Sequence, residues 1–101
     1  MNRNEKSTNE QDINGRLDEA AKNFHAGNLA EAEKICRLLL AANHRDPRAL
    51  CLLGSITYSA GRSDEAIALI EQAISSNPNF VDAHANLGAI LKANGQNEKA
   101  L

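Results

Sequence analysis

The sequence is poor in the residues that usually mark a specialised chemistry. Among 101 residues it has no tryptophan, one tyrosine, two phenylalanines and two cysteines. Alanine and leucine must therefore do most of the packing. Two cysteines make no disulfide framework, and Cys36 and Cys51 both fall at apolar helical positions, where cysteine is a common small core residue. We expect both thiols to be structural.

Neither a strong charge of one sign nor a long apolar run is present. The net charge is −2 with both signs interspersed, which argues against a nucleic-acid surface, since that needs a basic stripe. No apolar run approaches the roughly 18 residues of a membrane-spanning helix, and the first residues do not begin a signal peptide. We expect one soluble, cytoplasmic domain, unless a missing upstream segment targets it elsewhere.

Catalytic and metal-binding arrangements are also missing from the pattern. His25, His44 and His84 lie at unrelated positions, and none is paired at i, i+4 with another ligand. Asp64 and Glu65 are adjacent at a predicted helix start, where acidic side chains interact favourably with the positive end of the helix dipole. The sequence predicts no enzyme activity, no cofactor and no metal.

What is present is an internal repeat of 34 residues (61 − 27 and 95 − 61). Three sets of small residues recur at this interval: Gly27, Gly61 and Gly95; Ala32, Ala66 and Ala100; and Ala20, Gly54 and Gly88. Apolar residues at steps of three and four flank each glycine of the first set, which predicts two amphipathic helices joined by a glycine turn. Gly95 is thus expected to end one helix, with another beginning at Gln96.

Gly54 lies inside a predicted helix, where glycine costs roughly 1 kcal/mol relative to alanine. Close approach of the two helix backbones would account for it, together with Ala66 on the other helix. We therefore predict that Gly54→Leu lowers the melting temperature much more than a surface substitution does. An unchanged melting temperature would contradict this interpretation.

The repeat resembles the tetratricopeptide repeat family, most closely bacterial members with repeats like those of O-linked N-acetylglucosamine transferase. The second repeat matches the family pattern at Leu50, Leu53, Gly54, Thr57, Ala66, Ile70 and Pro78, and the third at His84, Leu87, Gly88, Leu91 and Ala100. The first repeat opens degenerately and lacks the proline. The third has His84 at a large-residue position, where we expect a packed side chain.

The resemblance implies an all-α fold, an α-α superhelix of stacked antiparallel helix pairs with about two and a half repeats. The repeats are expected at residues 13–46, 47–80 and 81–101, with the last incomplete. Residues 1–12 contain no apolar residue after the initiator and are expected to form a disordered polar tail. The chain ends roughly ten residues short of a full repeat. Either it is a fragment of a longer array, which we favour, or its last helix is a terminal cap.

The family resemblance also implies a concave surface, lined by the first helix of each repeat, that holds an extended peptide or a partner helix. Carried over by position, the residues of this surface are Asn14, Leu17, Asp18, Ala21, Phe24 and His25; Arg48, Cys51, Leu52, Ser55, Tyr58 and Ser59; and Asp82, Ala85, Asn86, Ala89, Lys92 and Ala93. Phe24 and Tyr58 are equivalent in register, and are either packing residues or aromatic walls of a groove.

Two recognition modes of the family fit this surface poorly. The carboxylate clamp needs lysine, asparagine and arginine at set positions, and four of these positions here hold Leu17, Ala21, Leu52 and Asn86. An asparagine ladder would need asparagine at three equivalent positions, which here hold Asp18, Leu52 and Asn86. The charged residues on the surface are mixed in sign, so its pattern does not define the partner's charge.

Three functional hypotheses remain open. The first is a non-catalytic protein-interaction module or scaffold that binds a peptide or partner helix. The second is the N-terminal targeting region of a larger glycosyltransferase or sulfotransferase. The third is self-assembly through the open C-terminal end, where Leu87, Ile90 and Leu91 form a surface suited to a neighbour.

Overall fold

The chain folds into helices throughout the part that the structure describes. The computed structural model gives the backbone of residues 3–100 and the side chains of residues 12–95. Within residues 3–100 there are five α-helices and no strand: α1 (Arg3–His25), α2 (Leu29–Ala42), α3 (Pro47–Ser59), α4 (Ser63–Ser76) and α5 (Val81–Ala100). The predicted all-α class is confirmed.

The helices form two layers. α1 packs on α2 and α3 packs on α4, which gives two antiparallel hairpins joined by contacts between α2 and α3. α3 also contacts α1 on one side and α5 on the other. The first helices of the repeats, α1, α3 and α5, therefore lie in one layer, while α2 and α4 form the second. Short turns between consecutive helices enforce this arrangement, which is that of a helical-repeat solenoid.

The two hairpin turns depend on glycine. Gly27 and Gly61 both have φ of 88°, a left-handed conformation that costs residues with a Cβ atom about 1 kcal/mol or more. After each turn the next N–H bonds five residues back: Asn28 donates to the Asn23 carbonyl and Arg62 to the Thr57 carbonyl, both at 2.8 Å. These bonds end the helices in the same way.

The helices of the central hairpin approach most closely at Gly54. A Cβ atom placed there would lie 2.5 Å from Ile70 Cγ1 and 3.3 Å from the carbonyl oxygen of Ala66. Real Cβ atoms do not come this close to other atoms, so only glycine fits without movement. The equivalent Gly88 has no such neighbour within 4 Å, because no described helix packs against that face of α5.

The core lies between the two layers, and small aliphatic residues fill it. Leu53, Ile56 and Ile70 are fully buried. Cys36 and Cys51 are also buried and are free thiols. Burial raises the pKa of Cys36 to about 11, so this thiol stays protonated and unreactive near neutral pH. Fully buried alanines at Ala20, Ala32 and Ala66 let the helices pack closely.

The first helix begins earlier than the sequence predicts. α1 starts at Arg3 rather than near residue 13, so the segment expected to be a disordered tail is helical from residue 3 onward. Residues 1–2 lie outside the described residues. The segment contains no proline or glycine and is rich in helix-favouring Glu, Lys and Gln. Once the packed part of α1 has formed, each further residue extends an existing helix. The unfavourable free energy of helix nucleation therefore does not have to be met again.

The last helix also differs from the prediction. α5 runs without a break from Val81 to Ala100, so Gly95 lies within a helix and makes no turn. At Gly27 and Gly61 the following helix is long enough to pack back and stabilise the turn. Residues 96–100 continue α5 instead, so within the described residues no returning helix packs back to stabilise a turn at Gly95. The backbone therefore keeps its helical hydrogen bonds; the side chain of Ala100 lies outside the described residues.

No helix within the described residues is both long enough and apolar enough to cross a membrane.

Candidate peptide-binding groove

The first-helix layer contains an open groove with a volume of about 590 Å³, which we call the central groove. Its lining residues come from α1, α3, α5 and the turn before α5: Asn14, Leu17, Asp18, Ala21, Arg48, Cys51, Leu52, Ser55, Phe80, Asp82 and Asn86. All but Phe80 belong to the surface expected from sequence. Three helices separated by a full repeat along the chain thus contribute to one surface.

Arg48 joins the α1 wall of the central groove to the start of α3. Its Nη1 donates to Asn14 Oδ1 at 2.6 Å, and its Nε and Nη2 lie 3.4 Å from the two Asp46 carboxylate oxygens. Asp46 is buried and caps α3 by accepting a hydrogen bond from the Arg48 backbone N–H at 3.0 Å. The guanidinium is therefore held in place by a capping residue and by the neighbouring repeat.

Asn86 makes the matching connection between α3 and α5. Its Nδ2 lies 3.3 Å from Cys51 Sγ and 3.2 Å from Ser55 Oγ, and donates toward both. Cys51 lies beneath Asn86 and is only 5% exposed. Burial raises the pKa of the Cys51 thiol, the Asn86 hydrogen bond opposes this, and the charge of Asp82 adds to it. The Cys51 thiol is therefore protonated and largely covered, and it does not act as a nucleophile.

A second, smaller groove of about 230 Å³, which we call the aromatic groove, lies next to the central one. Its lining residues are Phe24, Ser55, Tyr58, Ser59, Asn86, Ala89 and Ile90. Phe24 and Tyr58, one repeat apart, thus line one groove and are half-buried. They also pack against the core. Ser55 and Asn86 line both grooves, so the two are continuous along α3 and α5.

Some of the residues expected on the concave surface line neither groove: His25, Ala85, Lys92 and Ala93. His25 packs instead beside Phe24, with the ring centroids 5.3 Å apart. Phe80 and Ile90 were missed. Phe80 lies in the turn before α5, and the family positions cover helices only. Two features of the sequence could have pointed to Phe80. It is one of three aromatic residues, and it directly follows Asn77, Pro78 and Asn79.

His84 is exposed, which corrects the expectation of a packed side chain. Its Nε2 lies 2.7 Å from the carbonyl oxygen of Pro78. The imidazole therefore holds the turn that leads into α5, rather than packing against another helix. No helix within the described residues covers this side of α5, so a large apolar residue would have nothing to contact there.

On the second layer, four charged side chains join α2 to α4. Arg37 contacts Glu33 and Glu65, each at 2.8 Å, while Arg62 contacts Glu33 at 2.6 Å and Glu65 at 3.2 Å. Hydrogen bonds from Arg62 and then Arg37 lower the pKa of the Glu33 carboxyl. The hydrogen bonds that Arg37 donates, to Glu65 first and then to Glu33, raise the pKa of Arg37. We call these residues the charge cluster; it lies away from the central groove.

Comparison with known families identifies the fold. A tetratricopeptide repeat model matches residues 47–80, and a second tetratricopeptide repeat model matches residues 69–101. The first match coincides with α3, α4 and the turn that follows them. The chain belongs to the tetratricopeptide repeat family. Such repeats are protein-interaction modules, which implies a protein partner for this chain.

Two curated relatives of this tetratricopeptide repeat chain are enzymes. One is a UDP-N-acetylglucosamine peptide N-acetylglucosaminyltransferase of Caenorhabditis elegans, 32% identical over 81 residues. The other is a probable biofilm formation methyltransferase of Pseudomonas aeruginosa, 33% identical over 86 residues. The matches cover 80% and 85% of this chain but only 7% and 20% of the relatives. No solved structure gives a significant match.

Proposed function

We propose that this chain is a non-catalytic interaction module that binds an extended peptide or a partner helix in the central groove. The observation that carries the proposal is the convergence of α1, α3 and α5 on one open groove in which Arg48 and Asn86 are already fixed by hydrogen bonds between helices. Its volume lies in the range of ligand-binding clefts, roughly 300 to 1,000 Å³. Preorganised polar groups reduce the entropy lost on binding.

Half-buried apolar side chains supply the contact area for such a segment. Leu17 and Leu52 lie on neighbouring helices, and Phe80 lies at the entrance to α5. Leu52 and Phe80 pack on the core from one side and line the groove on the other. An apolar side chain of the partner that covers them would gain roughly 25 cal/mol for each Å² of apolar surface removed from water.

The test begins with a phage library of random peptides of about twelve residues, which span roughly 40 Å when extended, selected on the immobilised chain. Enriched peptides are then synthesised and titrated against Leu52→Ala and the matched control Leu38→Ala. Leu38 is 54% exposed on α2, outside both grooves. We expect Leu52→Ala to weaken binding by about 5- to 30-fold, the loss of one partly buried leucine contact, and Leu38→Ala to leave it unchanged.

Failure to enrich any peptide would contradict the proposal, and so would equal effects of the two variants. Circular dichroism and urea unfolding show whether both variants stay folded under the binding conditions, because Leu52 also packs on the core and its truncation is expected to lower the unfolding midpoint as well.

A second candidate, supported by the two relatives, is that this chain is the repeat region of a larger transferase. Its groove would then select protein substrates or binding partners for a catalytic part elsewhere in the polypeptide. Immunoblotting of the native source with an antibody raised against this chain tests the idea. A product much larger than 10.9 kDa is expected, whereas a native product of about that mass would contradict it.

A third candidate is self-association through α5. Leu91 is 50% exposed, and Gly88 beside it has no neighbour where the equivalent Gly54 contacts Ile70. Sedimentation equilibrium over a wide concentration range tests this. A mass that rises with concentration and becomes constant in Leu91→Gln supports it, and a constant monomer mass contradicts it.

A further inference from the structure

Two carboxylates of the central groove are left unused by the fold. Asp18 projects from α1 and Asp82 lies in the first turn of α5, both are exposed, and both line the groove. Among the described side chains, the ion pairs and hydrogen bonds involve neither of them. α1 and α5 flank α3 on opposite sides. The groove therefore has one uncompensated negative charge on each wall.

The positive charge in the groove is already compensated. Arg48 is the one cation among the residues that line the central groove. Its guanidinium faces the Asp46 carboxylate, which is buried, and donates to Asn14 Oδ1. Lys92, the other cation expected on this surface, lines neither groove. The mixture of charges in the sequence thus becomes, in the folded chain, a groove with net negative charge.

The neutral polar groups add to this preference. Both hydrogen-bond contacts made by Asn86 use its Nδ2 group, toward Cys51 and Ser55, so its Oδ1 remains an acceptor without a partner among the described residues. The Asp18 and Asp82 carboxylates and Asn86 Oδ1 therefore give three open acceptors, against the Nδ2 donor that Asn14 keeps while its Oδ1 accepts from Arg48. A partner must therefore bring donors, and lysine and arginine side chains bring donors and positive charge together.

We infer that the central groove binds a basic segment of its partner, in which lysine or arginine lies beside apolar residues. The inference rests on the proposed function and adds the chemistry of the partner to it. The basic side chain pairs with Asp18 or Asp82, while the apolar residues cover Leu17, Leu52 and Phe80. An acidic segment would instead bring like charges together without a free cation to receive them.

The charge composition of peptides enriched from the phage library tests the inference. Selection on the wild-type chain is compared with selection on the double variant Asp18→Asn, Asp82→Asn, which keeps the size of both side chains. Asp64→Asn is the matched control, because Asp64 is an exposed acid in the first turn of α4 and lines neither groove. We expect lysine and arginine to be enriched on the wild-type chain and on Asp64→Asn, but not on the double variant.

Titration of one enriched peptide gives the magnitude. Each carboxylate lost is expected to weaken binding about 1.5- to 5-fold, as for exposed ion pairs. At about 1 M salt the difference between wild type and double variant should disappear, because the Debye length falls to roughly 3 Å.

The outcomes separate this inference from the proposal beneath it. Enriched peptides that are acidic or neutral, or a double variant that binds basic peptides as well as the wild type does, overturn the inference. They leave peptide binding in the groove intact. If the peptides bind and respond to Leu38→Ala instead of Leu52→Ala, or if none is enriched, the proposed function fails and the inference fails with it.

Discussion

At the scale of single residues, two glycines in the same repeat position have opposite surroundings. Gly54 is enclosed by Ile70 and the Ala66 carbonyl, whereas Gly88 is open. Their shared register in the sequence cannot distinguish them, since the difference arises from whether a second helix packs on that face. The consequence is that the same substitution should have opposite effects at the two sites.

We predict that Gly54→Ala destabilises the chain by about 1 to 3 kcal/mol, the usual cost of overpacking. The Ile70 branch and a backbone oxygen would both have to move, which outweighs the better helix propensity of alanine. Gly88→Ala should be neutral or stabilise by up to about 1 kcal/mol, because only propensity changes there. Urea unfolding followed by circular dichroism measures both. Equal effects at the two positions would contradict the structure.

Most residue positions that build the fold could be predicted from the sequence, and some site residues could not. Register alone indicated the residues that are buried at Ala20, Ala32 and Ala66. It missed Phe80, which enters the central groove from a turn. It also suggested a packed His84, because the family pattern assumes a neighbouring helix that the described residues do not include. The local sequence pattern predicts the helical position that a residue occupies. The contacts of its side chain depend on which other helices and turns pack around it.

At the scale of helices and turns, the glycine positions differ again. Gly27 and Gly61 have left-handed backbones, while Gly95 continues a helix. The sequence predicted a turn at all three. Repeat periodicity could not show that no helix among the described residues packs back on α5 to stabilise a turn at Gly95, since this depends on tertiary packing.

We predict that Gly61→Ala lowers the free energy of unfolding by about 1 kcal/mol, the cost of a left-handed non-glycine residue. Gly95→Ala should increase helix content without loss of stability, because alanine is the better helix former. Far-UV circular dichroism with thermal unfolding gives both quantities. A loss of stability in Gly95→Ala similar to that in Gly61→Ala would show that a turn forms at residue 95.

The charge cluster joins α2 to α4 and makes stability depend on pH. Because the pKa of Glu33 is lowered in the folded chain, its stabilising contribution is present above the ordinary carboxyl pKa. That contribution is lost as the pH falls through the lowered value. Sequence analysis could not find the cluster, since its partners on α2 and α4 are 28 and 29 residues apart.

We predict that Glu33→Gln lowers the free energy of unfolding by about 0.5 to 1 kcal/mol at neutral pH. The side chains of Arg62 and Arg37 are 42% and 47% exposed, which keeps the effect small. The difference from wild type should shrink as the pH falls below the ordinary carboxyl range. Urea midpoints over a pH series measure this. Glu71→Gln, an exposed α4 residue outside the described ion pairs, is the control and should show no such dependence.

At the scale of the whole chain, the layering of the helices determines the function proposed. α1, α3 and α5 bring three distant sets of residues to one groove, while α2 and α4 support them from behind. The resemblance to the tetratricopeptide repeat family was sufficient to predict this architecture and most of the residues that line the groove. It could not predict the sign of the charge in the groove, because that depends on Asp46 compensating Arg48.

The most direct test of the central claim is to map amide chemical shifts in an isotope-labelled chain during titration with an enriched basic peptide. We predict that the largest shifts occur along the groove-facing positions of α1, α3 and α5, centred on Leu17, Leu52 and Asn86, with little change in the charge cluster of α2 and α4. Shifts confined to the second layer, or to the open face of α5 around Gly88 and Leu91, would contradict the assignment of the central groove as the binding site.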